Sequence, residues 1–180
     1  MSRRPLQPLE ILHQMELDVL AADISLPEEN VVAEQWVGLS YRVGDLRFVT
    51  SMDQVSEVVP FAPLAVVPRS QSWLRGIANV RGRLLSVIDL QDFLGMGSVN
   101  TDQYSRLIVI NNDLLSCCLL VTRLQGLRHF DPVGDSCDIG DTAEKLARYI
   151  TGALGREEEK WLVFDTDRLV DEKGFLNAAA

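Results

Sequence analysis

Two Arg-Gly pairs, Arg75-Gly76 and Arg81-Gly82, lie six residues apart in front of an apolar run that ends at Asp89. Arginine beside glycine admits three kinds of chemistry: a phosphate cradle, a nucleic-acid patch, or a turn that presents a guanidinium to a protein partner. A phosphate cradle is excluded by context. Neither a Gly-x-x-x-x-Gly-Lys-Ser/Thr pattern nor a Gly-x-Gly-x-x-Gly pattern that opens a helix surrounds these glycines.

The overall charge argues against a nucleic-acid partner. The 180 residues contain 17 Lys and Arg against 26 Asp and Glu, which gives a net charge of −9. A phosphate polymer is repelled on average by such a field. The longest basic run is Arg3-Arg4 at the N-terminus, and no larger basic cluster offsets the acidic balance. We therefore expect no nucleic acid among the partners.

The remaining interpretation is a tight turn that holds one arginine in place. The planar guanidinium of such an arginine can donate two parallel hydrogen bonds to a carboxylate of a partner. The alternative is an internal ion pair that fixes the turn within the protein. The residues by themselves do not decide between these two interpretations.

The cysteines and histidines predict neither a metal site nor a catalytic thiol. Cys117 and Cys118 are adjacent on a predicted strand, so their side chains point to opposite faces and cannot grip one ion. His13 and His129 have no Cys or His at ligand spacing. Cys137 and His129 are the nearest thiol–imidazole pair, and no third residue orients the histidine. We expect buried structural thiols and no cofactor.

Composition indicates a packed globular protein in a reducing compartment. Hydrophobic residues make up 47% of the chain, and the three cysteines are an odd number, which favours the cytoplasm. The N-terminus lacks the features of a signal peptide. No apolar run approaches the roughly 20 residues that a membrane helix needs, so direct membrane insertion is not expected.

Hydrophobic periodicity divides the chain into a helical start and a series of short strands. Apolar residues at helical spacing predict a helix over residues 5–22, and from Trp36 the period changes to two, which predicts strands. The elements expected after this point are a hairpin over 36–50, a short helix or turn over 51–59, a strand over 83–90, a hairpin over 106–121, a short helix over 142–150 and a closing strand with a helical turn over 160–170. Short strands with closely spaced turns indicate a small barrel or sandwich.

The stretch WLRGIANVRGRLLSVIDLQDFLG, residues 73–95, resembles the signature of the CheW-type chemotaxis coupling proteins. Three further segments resemble other parts of that family, and they occur in the same order: DQVSEVV at 53–59, the hairpin from Tyr104 to Phe130, and the closing segment ITGALGREEEKWLVFDTDRLV. The resemblance covers residues 34–172, and its details are similar to the branch that serves type IV pilus chemosensory systems. Two residues depart from the family pattern: Ser86 stands where proline is common, and Thr122 where aspartate is usual.

The resemblance implies a mainly β fold of two SH3-like five-stranded β-barrels that share strands. It divides the chain into an N-terminal helical extension with its linker at 1–33, a CheW-like domain at 34–172 and a C-terminal tail at 173–180. It also implies that the protein resides in the cytoplasm and is recruited to receptor arrays at the membrane.

The resemblance further implies a non-enzymatic adaptor. Its partners would be a CheA-type histidine kinase, bound through that kinase's own CheW-like regulatory domain, and the cytoplasmic tip of a methyl-accepting receptor. The output would be type IV pilus (twitching) motility. A flagellar coupling protein and a stand-alone peptide-binding barrel are the alternatives.

Site residues carried over from the family lie on two segments. Val55 and Glu57 would face the receptor groove, with Asn79, Val80, Arg81 and Gly82 at the same junction and Gly76 as a structural turn. Arg81 would bond a partner or fix Glu57, whereas Arg75 is interpreted as a solvated surface residue.

Overall fold

The computed structural model describes residues 35–110, 112, 115, 117–140, 144–156 and 159–176. The helix expected over residues 5–22 and the extension over 1–33 lie outside the described residues.

Strands dominate the described part of the chain, as expected for a mainly β fold. The strands are β1 Trp36–Val43, β2 Leu46–Ser51, β3 Val55–Pro60, β4 Leu74–Val80, β5 Arg83–Asp89, β6 Arg106–Ile110, β7 Cys117–Val121, β8 Arg123–Phe130, β9 Ser136–Cys137, β10 Ile150–Arg156 and β11 Glu159–Phe164. The helices are a 3-10 turn at Met52–Gln54 and the short segments α1 Leu90–Phe93, α2 Glu144–Ala147, α3 Thr166–Val170 and α4 Lys173–Leu176.

The strands form two sheets, and each strand belongs to one of them. The six-stranded sheet has the order β8-β1-β2-β11-β10-β9, and the five-stranded sheet has the order β3-β6-β7-β5-β4. Neighbouring strands are antiparallel except for the parallel pairs β2–β11 and β5–β7. The middle of the chain therefore builds the five-stranded sheet, and the segments on either side of it build the six-stranded sheet.

The five-stranded sheet is buried on both faces in its centre. Cys117, Leu119 and Val121 of β7 lie in a cluster that also holds residues of the six-stranded sheet, which we call the joint core. Cys118 and Leu120 point the other way, into a separate small core that includes Val80, Val87 and Val109. The expectation that the adjacent cysteines face opposite sides is confirmed, and the reason is the period of two along a strand.

The segment after β2 differs from the prediction of a short helix or turn over residues 51–59. Only Met52–Gln54 is helical, and Val55–Pro60 forms the edge strand β3, which pairs with β6. The pairing register shifts between Val55 and Glu57, which marks a β-bulge. The bulge interrupts the alternation of apolar and polar residues, so the sequence pattern did not read as a strand.

The C-terminal tail was expected to begin at residue 173, but the packed part of the chain continues past this residue. Phe175 is 3% exposed and belongs to the joint core. Its ring stacks on Trp73 with centroids 5.9 Å apart and meets Phe93 edge-on at 5.3 Å. The packed domain thus extends at least through Phe175, because this ring seals the aromatic end of the joint core.

Asp89 is a fully buried carboxylate at the end of β5. Its Oδ1 accepts a hydrogen bond from the backbone N–H of Asp92, which caps α1, and its Oδ2 accepts one from the N–H of Val99. Arg75 provides the third partner of this carboxylate, with its Nη1 3.2 Å from Asp89 Oδ2. The interpretation of Arg75 as a solvated residue is therefore wrong. Arg75 occupies a bulge in β4, and a bulge can re-aim a side chain toward the neighbouring strand.

Replacing Arg75 should destabilise the protein because it removes the countercharge of a buried carboxylate. Losing one partner of a fully buried pair costs about 3–5 kcal/mol. Asp89 keeps two N–H donors and the Arg75 side chain is 30% exposed, so we expect Arg75→Ala to lower the free energy of unfolding by about 1–2 kcal/mol. Urea denaturation measures the change. Arg156→Ala, at an exposed arginine on β10, is the control and should stay within about 0.5 kcal/mol. Equal stabilities of the two variants would contradict the role of Arg75.

The buried thiols should resist alkylation in the native protein. Burial raises the pKa of Cys117 to about 12 and, with a smaller contribution from Glu57, that of Cys118 to about 11. The thiolate is the reactive form, so both thiols stay protonated at neutral pH. We expect iodoacetamide at pH 8 to modify the half-buried Cys137 at least tenfold faster, as mass spectrometry would measure. Denaturant should abolish the difference, and equal native rates would show that the thiols are accessible.

Candidate functional site

The β4–β5 hairpin ends in a two-residue turn formed by Arg81 and Gly82. Val80 pairs with Arg83 across the turn, and both turn residues have positive φ, 51° and 85°. Positive φ at both central residues is the mark of a type I′ turn. The Asn79 Oδ1 accepts a hydrogen bond of 2.8 Å from the Gly82 N–H. A glycine suits its position, whereas the left-handed conformation of Arg81 costs about 1–2 kcal/mol.

Arg81 forms an ion pair with Glu57, with 2.9 Å between Nε and Oε2. Glu57 lies on β3 and Arg81 follows β4, and these are the two edge strands of the five-stranded sheet. The ion pair therefore joins opposite edges of one sheet. Glu57 Oε2 accepts no aligned hydrogen bond from the described residues, so the contact is a charge pair. The Arg81 side chain remains 78% exposed and keeps the donors of its Nη atoms for another group.

The expected site residues separate into surface and core. Asn79, Arg81 and Gly82 are exposed at the hairpin tip, and Glu57 is partly exposed beside them. Val55 is 8% exposed in the joint core and Val80 is 4% exposed in the small core. The side chains of the two valines therefore pack in the interior beneath the exposed residues and are not accessible to a partner.

Gly76 was expected to form a structural turn. It lies instead inside β4, at the bulge. Its φ is +143°, and a Cβ built there would lie 2.5 Å from the carbonyl oxygen of Ala65. Ala65 bridges Ile77 through two backbone hydrogen bonds of 2.9 Å. Gly76 is required because the loop backbone passes this close to β4, a tertiary contact that no local pattern shows.

Sequence reasoning missed two features near the site. Leu84 is 73% exposed opposite Asn79 on the hairpin, although it lies in an apolar run that favours burial. Gln54 precedes β3, and its Nε2 donates hydrogen bonds to Asp165 Oδ1 at 2.8 Å and Asp167 Oδ2 at 3.0 Å. This amide ties the start of β3 to α3, so it helps to fix where Glu57 stands.

Thr122, which departs from the family pattern, retains a turn contact without a carboxylate. Its Oγ1 accepts a hydrogen bond of 3.1 Å from the Gly44 N–H, and its own N–H donates to the Arg42 carbonyl at 3.0 Å. The hydroxyl therefore satisfies the turn after β1. Ser86, the other departure, lies within β5 and pairs with Ile77 and Cys117.

Two further properties concern only the part of the chain that the structure describes. Within it, no group of three or more His, Cys, Asp or Glu side chains is arranged to hold a metal ion. None of the described helices combines the length and apolar character needed to cross a membrane.

Comparison with protein families gives a match to the CheW-like domain over residues 37–174. Protein PilI of Pseudomonas aeruginosa is 30% identical over 172 residues, which cover 96% of each chain. Protein FrzA of Myxococcus xanthus is 31% identical over 121 residues, which cover 66% of this chain and 75% of FrzA.

Two CheW proteins are more distant in sequence. The chemotaxis protein CheW of Thermotoga maritima is 22% identical over 74% of this chain and 87% of its own. The crystal structure of the scaffolding protein TtCheW from Thermoanaerobacter tengcongensis superposes with a TM-score of 0.67 at 18% identity, over 78% of this chain and 95% of TtCheW. The superposition confirms the expected mainly β, CheW-like fold, and the two sheets of the chain have six and five strands with none of the described strands shared between them. The family match and the similarity over nearly the full length together show that the chain belongs to the CheW-like family of scaffolding adaptors.

Proposed function

We propose that the protein is a non-enzymatic adaptor that couples a methyl-accepting receptor to a CheA-type histidine kinase in a system that controls type IV pilus motility. The observation that carries the pilus assignment is the similarity to PilI, which covers 96% of both chains. It extends beyond residues 37–174, the part that the family as a whole accounts for. The protein would act at receptor arrays on the cytoplasmic side of the membrane.

The hairpin tip has the properties that an adaptor needs at a docking site. Binding there requires a group that is exposed, held in one geometry and able to make directional bonds. Arg81 meets these requirements, because the turn fixes its backbone, Glu57 orients its Nε side and most of the guanidinium is open to solvent. Leu84 supplies exposed apolar surface on the same hairpin.

We assign the receptor to this end of the five-stranded sheet. Glu57, Asn79, Arg81 and Gly82 would contact the cytoplasmic tip of the receptor, and Val55 and Val80 would support them from the core. A helical segment with one apolar stripe can dock between an exposed leucine and a charged turn. The kinase would dock elsewhere through its CheW-like regulatory domain.

Direct titration tests the proposed function. The purified protein should bind both the regulatory domain of the kinase and a fragment that contains the receptor tip, and a ternary complex should form when all three are mixed. Isothermal titration calorimetry measures each affinity, and size-exclusion chromatography detects the complex. A protein that binds neither partner would refute the adaptor role. Loss of swimming without loss of twitching in a deletion strain would overturn the pilus assignment.

Replacement of Arg81 should weaken receptor binding without unfolding the protein. A charged hydrogen bond at the centre of an interface costs about 2–5 kcal/mol when cut, so we expect Arg81→Ala to lower the affinity for the receptor tip at least tenfold, or about 1.4 kcal/mol. Arg81→Gly should weaken binding equally. Its melting temperature should match or exceed that of the wild type, because glycine relieves the left-handed strain.

Two controls accompany the Arg81 variants. Arg156→Ala, on the six-stranded sheet, should change the affinity less than twofold. Wild-type affinity in a folded Arg81→Ala protein would show that the arginine serves only the ion pair with Glu57.

A further inference from the structure

A row of three arginines crosses one end of the six-stranded sheet. Arg42 of β1 lies directly opposite Arg47 of β2 and, on its other side, directly opposite Arg123 of β8. The side chains of directly opposite residues point to the same face, and like charges in this arrangement repel each other. Arg42 has an ion pair with Asp45 over 3.8 Å, but the Asp45 side chain is fully exposed, so this pair offsets little of the repulsion.

Two more arginines share this face, near Trp161 of β11. The guanidinium of Arg128 on β8 lies 4.5 Å from the centroid of the Trp161 ring, and that of Arg47 lies 5.9 Å from it. Arg156 of β10 is directly opposite Glu159, which is two positions from Trp161 on β11. Residues two apart on a strand point the same way. One face of the sheet therefore holds Arg128, Arg156 and the three arginines of the row, and we call it the arginine face.

The arginine face is the exception in an acidic protein. The six strands of the sheet contain five arginines, one lysine and one acidic residue. The acidic residue, Glu159, lies on the arginine face, whereas Lys160 beside it points to the other face. Five positive charges thus accompany one negative charge, although the whole chain carries −9. An anion that the protein repels on average is attracted to this face.

A cavity of about 400 Å³ opens on the arginine face. Its volume falls in the range of small-molecule sites, about 300–1,000 Å³. The aromatic side chains of Phe130 and Trp161 are buried at its inner wall, and Arg128, Arg156 and Glu159 line it as well. The cavity therefore combines an apolar base with charged groups, as ligand sites do.

Two guanidiniums of the cavity keep hydrogen-bond donors for a ligand. Glu159 bonds Arg128, with 2.8 Å between Oε1 and Nη2. Arg156, the cross-strand neighbour of Glu159, is exposed and has no ion pair with any residue that the structure describes. Asp135 also borders the cavity, and its Oδ2 accepts a hydrogen bond from the N–H of Asp131 in its own loop. Each guanidinium carries five N–H donors, so one carboxylate leaves most of these donors available.

We propose that the cavity binds a small soluble anion that carries two or more phosphate groups. A phosphate group carries more than one negative charge and accepts hydrogen bonds from several guanidiniums at once. A single carboxylate would only repeat what Glu159 supplies and would leave the charge of the arginine row unbalanced. A ligand with several phosphates can extend from Arg156 and Arg128 toward Arg47. The inference does not rest on the adaptor role, because the cavity and the hairpin tip lie on different sheets.

Inorganic triphosphate is the probe for this site. Calorimetry in phosphate-free buffer at constant ionic strength should show saturable binding of one triphosphate to the full chain. The bound ligand should also raise the melting temperature, because it binds the folded state alone. Orthophosphate and citrate should each bind at least tenfold more weakly, since the first has a single phosphate and the second has only carboxylates.

Two substitutions should change the affinity for triphosphate in opposite directions. Arg156→Gln should weaken binding at least fivefold, because it removes the guanidinium without a countercharge. Glu159→Gln should strengthen binding at least threefold, because it removes the carboxylate that competes for Arg128. A general loss of stability cannot produce both changes. Arg148→Gln, at an exposed arginine outside the cavity, is the matched control and should change the affinity less than twofold.

Four results would each overturn one statement. Absence of saturable triphosphate binding to the folded wild-type protein overturns the site itself. Equal affinities of the wild type, Arg156→Gln and Glu159→Gln overturn the cavity as its location. Equal affinities for citrate and triphosphate overturn the choice of phosphate. Binding to phosphatidylglycerol vesicles without binding to triphosphate overturns the assignment to a soluble ligand.

Discussion

Burial of the five-stranded sheet on both faces limits which parts of this sheet other molecules can reach. The central strands β6 and β7 contribute alternate side chains to the joint core and the small core, so neither face of these strands reaches solvent. What remains accessible is the edges β3 and β4, the hairpin tip and the loop along β4. A partner that contacts this sheet therefore binds its edges and turns, and Glu57 and Arg81 of the proposed docking site lie there.

The same double burial explains why a carboxylate lies in the interior. The apolar run of β5 must end and the chain must turn into α1 while it is still inside the protein, where backbone N–H groups cannot reach water. Asp89 accepts hydrogen bonds from two of these groups, and Arg75 balances its charge. Asp89 thus joins β4, β5, α1 and the loop to Val99. It holds the base of the hairpin whose tip carries Arg81.

Local patterns could predict much of the fold, since the hairpins over 36–51 and 106–121 follow from alternation and turn residues. The sequence left open whether Arg81 bonds a partner or fixes Glu57; the ion pair with Glu57 is observed, and it leaves most of the guanidinium exposed. The missed features depend on contacts between distant segments. The bulge in β3 interrupts the alternation that would identify a strand. Gly76 is explained only by the approach of Ala65, and the burial of Phe175 in α4 depends on Trp73, which precedes β4.

Two arginines, Arg69 and Arg81, hold left-handed backbone conformations, and Arg81 lies in the proposed docking site. Stability alone favours glycine or asparagine at a left-handed position, because their side chains do not clash with the backbone there. The turn at Arg81 already contains Asn79 and Gly82, so residues suited to tight turns stand beside it. Arginine at the tip, and again at position 69, carries this backbone cost while its side chain stays exposed, and Arg81 offsets part of the cost through its ion pair with Glu57. In the proposed function, this cost is offset by what a rigidly held guanidinium can bind.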